Sequence, residues 1–158
     1  MNHTVSISEM KVSNQVDDVL VTYSLGSCIG LSLYDPVVRV GGLIHSMLPL
    51  SKINPMKAKS NPQMFVDTGV SALLQAVFDL GAERRRLVAK VVGAAMLLDD
   101  KGLFKIGERN YTAMRKVLWK NYIPVTAEDV GGTIARTVYL YIATGRTIIK
   151  LGGQEGEL

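Results

Sequence analysis

Two side chains of this 158-residue chain stand out for their chemistry. One is its single cysteine, Cys28, in Gly26-Ser27-Cys28-Ile29-Gly30; the other is His45, the one histidine outside the extreme N-terminus. A thiol at its ordinary pKa of ~8.5 is mostly protonated at neutral pH, and a neighbouring imidazole can turn it into a reactive thiolate. A thiol activated in that way is expected to alkylate at mildly acidic pH. The glycines on either side let the backbone take positive φ and leave room for a substrate. Backbone N–H groups of such a turn can point at a developing oxyanion, and Ser27 adds a hydroxyl. Gly26 and Ser27 are therefore the substrate-proximal candidates. With His45 as base, Cys28 would attack an acyl carbon and expel an amine, ammonia or alcohol, leaving a thioester for water to hydrolyse. A third group usually orients the imidazole, and a hydroxyl can serve; Thr22, on the strand before Cys28, is the candidate. The plainer alternative is that a lone cysteine among apolar neighbours is a small buried hydrophobe, which composition alone favours.

The elements that must position these groups read as follows. Val5–Val12, Val19–Tyr23, Ile29–Tyr34 and Val40–Leu48 are rich in β-formers and read as strands. Cys28 then sits where one strand ends and the next begins, with His45 on a neighbouring strand. Residues 49–62 carry three prolines and several lysines and read as a loop bordering the site. Pro62 suits the first turn of a helix capped by Asn61, whose apolar face is Val66, Val70, Leu73, Leu74, Val77 and Phe78, with Gly81 ending it. Leu87–Met96 reads as a buried strand, followed by a turn at residues 99–102 and a second helix capped by Asn110. Residues 122–129 return to a strand, with Pro124 suggesting a sheet edge. Arg136–Ala143 and Arg146–Lys150, joined through Thr144-Gly145, form a hairpin. Residues 151–158 read as a loose tail on a single α+β domain spanning 1–158.

Composition narrows the classes. Hydrophobic residues make up 47% and charged residues 20%, which is globular. One cysteine excludes an internal disulfide, and two histidines with one cysteine cannot supply the usual zinc set. The longest apolar run, Val91–Leu98, is too short to span a bilayer, and the N-terminal residues do not read as a signal peptide. The expected location is cytoplasmic, without membrane insertion. The net charge is +4, but aromatics are not interleaved with Lys and Arg, so nucleic acid is not an expected partner. Arg84-Arg85-Arg86 reads as a solvated helix end, or as a basic surface for an acidic protein. Gly41-Gly42 and Gly131-Gly132 fit tight turns better than phosphate loops. Asp99-Asp100 reads as a polar turn and not a metal site, and His3 is discounted as terminal.

At these residues the chain resembles the chemoreceptor glutamine deamidase (CheD) family, nearly end to end from about Val5 to Lys150. The matching segments are Thr22 through Leu25-Gly26-Ser27-Cys28, Gly42-Leu43-Ile44-His45-Ser46-Met47-Leu48-Pro49, Asp67-Thr68, Ile106-Gly107-Glu108-Arg109-Asn110, and Glu128-Asp129-Val130-Gly131-Gly132 leading to Arg136. The resemblance implies Cys28 as nucleophile, His45 as general base and Thr22 turned toward that histidine. It implies an αββα-type layered sandwich of mixed β-sheets with flanking helices, resembling toxin-type cysteine deamidases. The implied reaction hydrolyses glutamine side chains on the cytoplasmic helices of methyl-accepting chemotaxis proteins to glutamate and ammonia, with no cofactor and no metal. Family members also hydrolyse glutamyl methyl esters, and many bind a CheC-type phosphatase. One departure is visible: Gly93-Ala94-Ala95 stands where the family usually has Gly-Gly-Ala, which narrows the room there. A regulatory binding module is the competing reading, and a cysteine protease or transglutaminase would share the chemistry.

Overall fold

The computed structural model describes residues 1–96 and 105–158. Two five-stranded sheets face each other. The first runs β1 (Asn2–Thr4), β3 (Val19–Leu25), β8 (Arg136–Tyr141), β9 (Thr147–Leu151) and β10 (Gln154–Glu157). The second runs β2 (Glu9–Ser13), β5 (Val40–Ser46), β4 (Ile29–Asp35), β6 (Val88–Gly93) and β7 (Val125–Val130). Helices α2 (Val66–Asp79) and α3 (Ile106–Lys120) pack on the second sheet, α2 over β2, β4 and β5, and α3 over β4 and β7. The result is the mixed-sheet, layered α+β domain that the strand and helix patterns call for.

This layering explains why β4 and β5 are buried along their whole length. One face of each meets the first sheet and the other meets the helices, so neither strand alternates between apolar and polar residues. Ile29, Leu31, Leu33 and Ile44 join the α2 face in the larger core. Leu43 joins Leu20, Leu25, Val138 and Leu140 in a second core between the sheets. On β5, residues 41, 43 and 45 therefore face the first sheet, which turns His45 inward.

Several expectations are corrected. Residues 5–12 are not one strand: β1 pairs in parallel with β3, and β2 pairs with β5 in the opposite sheet. The prolines of residues 49–62 do not keep that stretch irregular. Pro55 begins a short helix, α1 (Pro55–Ser60), where its missing N–H costs nothing, and the Asn54 side chain accepts from Lys57 N–H. Pro62 begins only a single 3-10 turn, and α2 starts at Val66. Asn110 is not a cap but lies inside α3. The presumed tail carries β10, antiparallel to β9. Gly81 does follow α2 with φ of +103°, β8 and β9 do form a hairpin, and β7 is an edge strand. The turn expected at residues 99–102, with Asp99-Asp100, lies outside the described residues. Among the described residues, no helix is long and apolar enough to cross a membrane.

Candidate active site

The nucleophile candidate sits where the chain changes sheets. Leu25 is the last residue of β3 and pairs with Arg136 in the first sheet; Ile29 opens β4 and pairs with Ser46 and Gly93 in the second. Gly26, Ser27 and Cys28 make that crossing. Just before it, β3 loses register between Thr22 and Leu25, and Ser24 takes φ of 57°, a bulge of the kind that re-aims a strand beside a site. Cys28 is half-buried, whereas Thr22 and His45 are buried.

The strand ladder places His45 beside the start of β4, next to the cysteine turn. Gly30 is directly opposite His45, and it has no side chain to crowd the imidazole. Cys28 lies two residues earlier, just before β4 begins, and packs against the core between the sheets that this face of β5 also lines. Thr22 reaches His45 from the other sheet: its Oγ1 lies 2.7 Å from His45 Nδ1 and 2.7 Å from the Val5 carbonyl oxygen.

These two contacts fix the tautomer. A threonine hydroxyl has one proton, and the Val5 carbonyl can only accept. The hydroxyl therefore donates to Val5 and accepts from Nδ1–H of His45. The Nε2 lone pair is left free, and Nε2 is buried without a hydrogen-bond partner among the described residues. No carboxylate among the described residues assists: burial pulls the imidazole down from its ordinary 6.5 to about 4. Burial also pushes the Cys28 thiol up, with its own backbone N–H opposing this in part. The thiolate expected from an imidazole neighbour is thus not the resting form. Both groups are neutral at pH 7, because the space between the sheets penalises charge more than a neutral neighbour can offset.

The matching segments elsewhere in the chain buttress the turn. Ala95 N–H donates to the Gly26 carbonyl and Ala94 N–H to the Cys28 carbonyl, both at 2.8 Å. The Gly93 carbonyl accepts from Gly131 N–H at 2.9 Å and from the Arg136 guanidinium at 3.3 Å. Arg136 also pairs with Asp129. Gly93 takes φ of +110°, and a Cβ there would lie 2.7 Å from the Cys28 carbonyl oxygen. Ala94, at the family departure, takes φ of 53°, a region that suits glycine better than alanine. Asp67 accepts from the N–H and hydroxyl of Ser51, tying α2 to the segment after His45.

Sequence reasoning missed Asn110. Its Nδ2 donates to the Ser27 carbonyl at 2.9 Å and to the Met47 carbonyl at 3.1 Å, joining the cysteine turn to the end of the histidine strand. Other candidates fall elsewhere. His3 pairs with Asp18 in β1, and Arg86 is held by the buried Asp35 carboxylate, so the arginine run is only partly free. An apolar cavity of about 370 Å³, lined by Ala94, Ala95, Gly107, Tyr111, Val130 and Gly131 among others, lies against the buttress and includes none of Thr22, Cys28 and His45. Among the described residues no cluster of three or more His, Cys, Asp or Glu could hold a metal ion.

The family model described as CheD chemotactic sensory transduction matches residues 47–151. A protein of Syntrophus aciditrophicus named probable chemoreceptor glutamine deamidase CheD 1 is 49% identical over 149 residues, covering 94% of this chain and 93% of the relative. The chain belongs to the CheD family. The probable CheD of Solibacter usitatus is 47% identical over 154 residues, 98% of this chain and 91% of its own, and that of Pyrococcus abyssi is 42% identical over 142 residues, 87% and 86%. The family-model match begins after His45, so the buttress carries it: α2, β6, α3 and the β7–β9 region.

Proposed function

We propose that this CheD-family chain hydrolyses glutamine side-chain amides of chemoreceptors to glutamate and ammonia through a Cys28 thioester. Its relatives are named for that activity. The observation that carries the mechanism is the Thr22 hydroxyl between the Val5 carbonyl and His45 Nδ1, which leaves Nε2 as a free base. Cys28 Sγ attacks the amide carbon while Nε2 takes the thiol proton, and the carbonyl electrons move onto oxygen. Collapse of that intermediate breaks the C–N bond as Nε2–H protonates the leaving nitrogen, releasing ammonia. Water, losing a proton to Nε2, then attacks the thioester, and the departing sulfur recovers a proton as glutamate leaves. Burial keeps the imidazole deprotonated, and so ready to act as a base, at neutral pH. A glutamyl methyl ester would follow the same course with methanol leaving.

Incubating a receptor cytoplasmic fragment with the protein tests this. Ammonia release and the amide-to-acid mass change at particular glutamines are expected from the wild type and from neither Cys28→Ala nor His45→Ala. Backbone cleavage, amine incorporation, or full activity in Cys28→Ala would overturn it.

A further inference from the structure

We propose that Asn110 is a positioning residue for this reaction, holding the Ser27–Cys28 peptide so that the Cys28 backbone N–H receives the oxyanion. The inference rests on the deamidation reading above. Asn110 is fully buried, and a carboxamide nitrogen carries two protons. Both are used, on the Ser27 and Met47 carbonyls. Ala95 and Ala94 hold the carbonyls on either side, those of Gly26 and Cys28. Every carbonyl of the turn is therefore anchored to α3 or to the segment that follows β6.

Peptide planarity carries the argument further. No peptide bond among the described residues is cis, so each N–H there points opposite to the carbonyl of the residue before it. With the Ser27 carbonyl drawn to Asn110, the Cys28 N–H is turned away from α3. Neither Ser27 N–H nor Cys28 N–H donates to a carbonyl among the described residues. The Cys28 N–H belongs to the residue that carries the nucleophile. A free N–H beside the nucleophile is the donor a tetrahedral intermediate needs. As the C–S bond forms, the carbonyl π electrons become a lone pair on oxygen, and this N–H binds it until ammonia leaves. Peptide rotation in the opposite sense would present the Ser27 carbonyl and repel that charge.

The fold is shaped to bring Asn110 to this point. Gly107, one turn earlier on α3, lies so close to the segment after β6 that a Cβ would come 2.6 Å from the Ala95 carbonyl oxygen. That approach lets Asn110 reach the turn. The second donor, to Met47, ties the same side chain to the strand bearing His45, so nucleophile and base share one anchor.

Asn110→Ala and Asn110→Ser should lower kcat on a receptor fragment about 100-fold, toward the loss seen when one oxyanion donor is removed. KM and the iodoacetamide alkylation rate of Cys28 should stay near wild type, since alkylation needs the sulfur and no oxyanion donor. A purely structural role would alter alkylation and KM as well, and that result, or wild-type kcat in folded variants, overturns the proposal. A second measurement uses the wild type, so it does not depend on either variant folding. A receptor peptide carrying an aldehyde in place of the glutamine amide would add to Cys28 as a hemithioacetal. The Cys28 amide proton should then shift strongly downfield by NMR; no shift would refute the assignment. Cys28→Ala separates the two readings. If deamidation survives it, the thioester mechanism fails; if deamidation needs Cys28 but not Asn110, only this inference fails.

Discussion

Alkylating Cys28 with iodoacetamide from about pH 5 to about pH 10 reads directly how its proton is held, because only the thiolate reacts. Burial holds His45 at about 4 and pushes the thiol upward. With the thiol no lower than its ordinary ~8.5, moving its proton to His45 crosses at least ~4.5 pKa units, about 6 kcal/mol. Attraction between the resulting charges would return about 4 kcal/mol for a pair ~4 Å apart at an effective dielectric constant of 20. The ~2 kcal/mol that remains leaves only a few per cent of molecules as thiolate and imidazolium. Alkylation should therefore run at only a few per cent of its limiting rate up to about pH 7, then climb and level off only above about pH 8.5. His45→Gln should leave the alkaline limb unchanged and remove only the low floor below about pH 7, since above it hydroxide sets the thiolate fraction. A plateau near the limiting rate reaching below about pH 6 and lost in His45→Gln would mean a preformed ion pair, and the neutral resting site would be refuted.

The other predictions concern the groups around the thiol. His45 also links the fold to pH. Its folded value of about 4 lies below the ordinary 6.5, so the unfolded chain takes up a proton first as pH falls. Stability from this group should drop between about pH 6.5 and pH 4 by about 3 kcal/mol, the full penalty applying below that window. Urea unfolding of wild type and His45→Gln should show this extra slope in the wild type alone; identical slopes would refute the buried, neutral imidazole. Thr22→Val strands the Val5 carbonyl and His45 Nδ1–H at a cost of about 1–3 kcal/mol, or tenfold to a hundredfold in kcat if felt in the transition state. Thr22→Ser should restore most of it, and the loss should stay below that of Cys28→Ala. Gly93→Ala forces a methyl against the Cys28 carbonyl at positive φ; activity measured by ammonia release should fall at least tenfold while the protein remains folded at 25 °C.

Much of the site could be read from the chain because its chemistry is scarce there. One cysteine and one interior histidine leave a single candidate nucleophile–base pair, and Thr22 on the preceding strand is the hydroxyl that meets the histidine. The hairpin of β8 and β9 and the apolar face of α2 were legible because each is a local period. Asn110 was not. An asparagine ahead of Met114, Val117 and Leu118 looks like a cap, and only the folded chain brings it to carbonyls 83 and 63 residues away. α1 was hidden for another reason: Ala58 is its only buried residue, so no apolar stripe announces it, and its capping asparagine and N-terminal proline resemble a loop. The direction of the Cys28 shift was not legible either. Residue types say that imidazole activates thiol, but the sign depends on where the pair lies and what stands behind the imidazole. Here the pair lies at a sheet crossing, and a threonine, not a carboxylate, stands behind it. A carboxylate would stabilise imidazolium at rest; a hydroxyl fixes the tautomer without adding charge. On the proposed mechanism, the proton then leaves sulfur as an acyl group accepts the electrons, and not before.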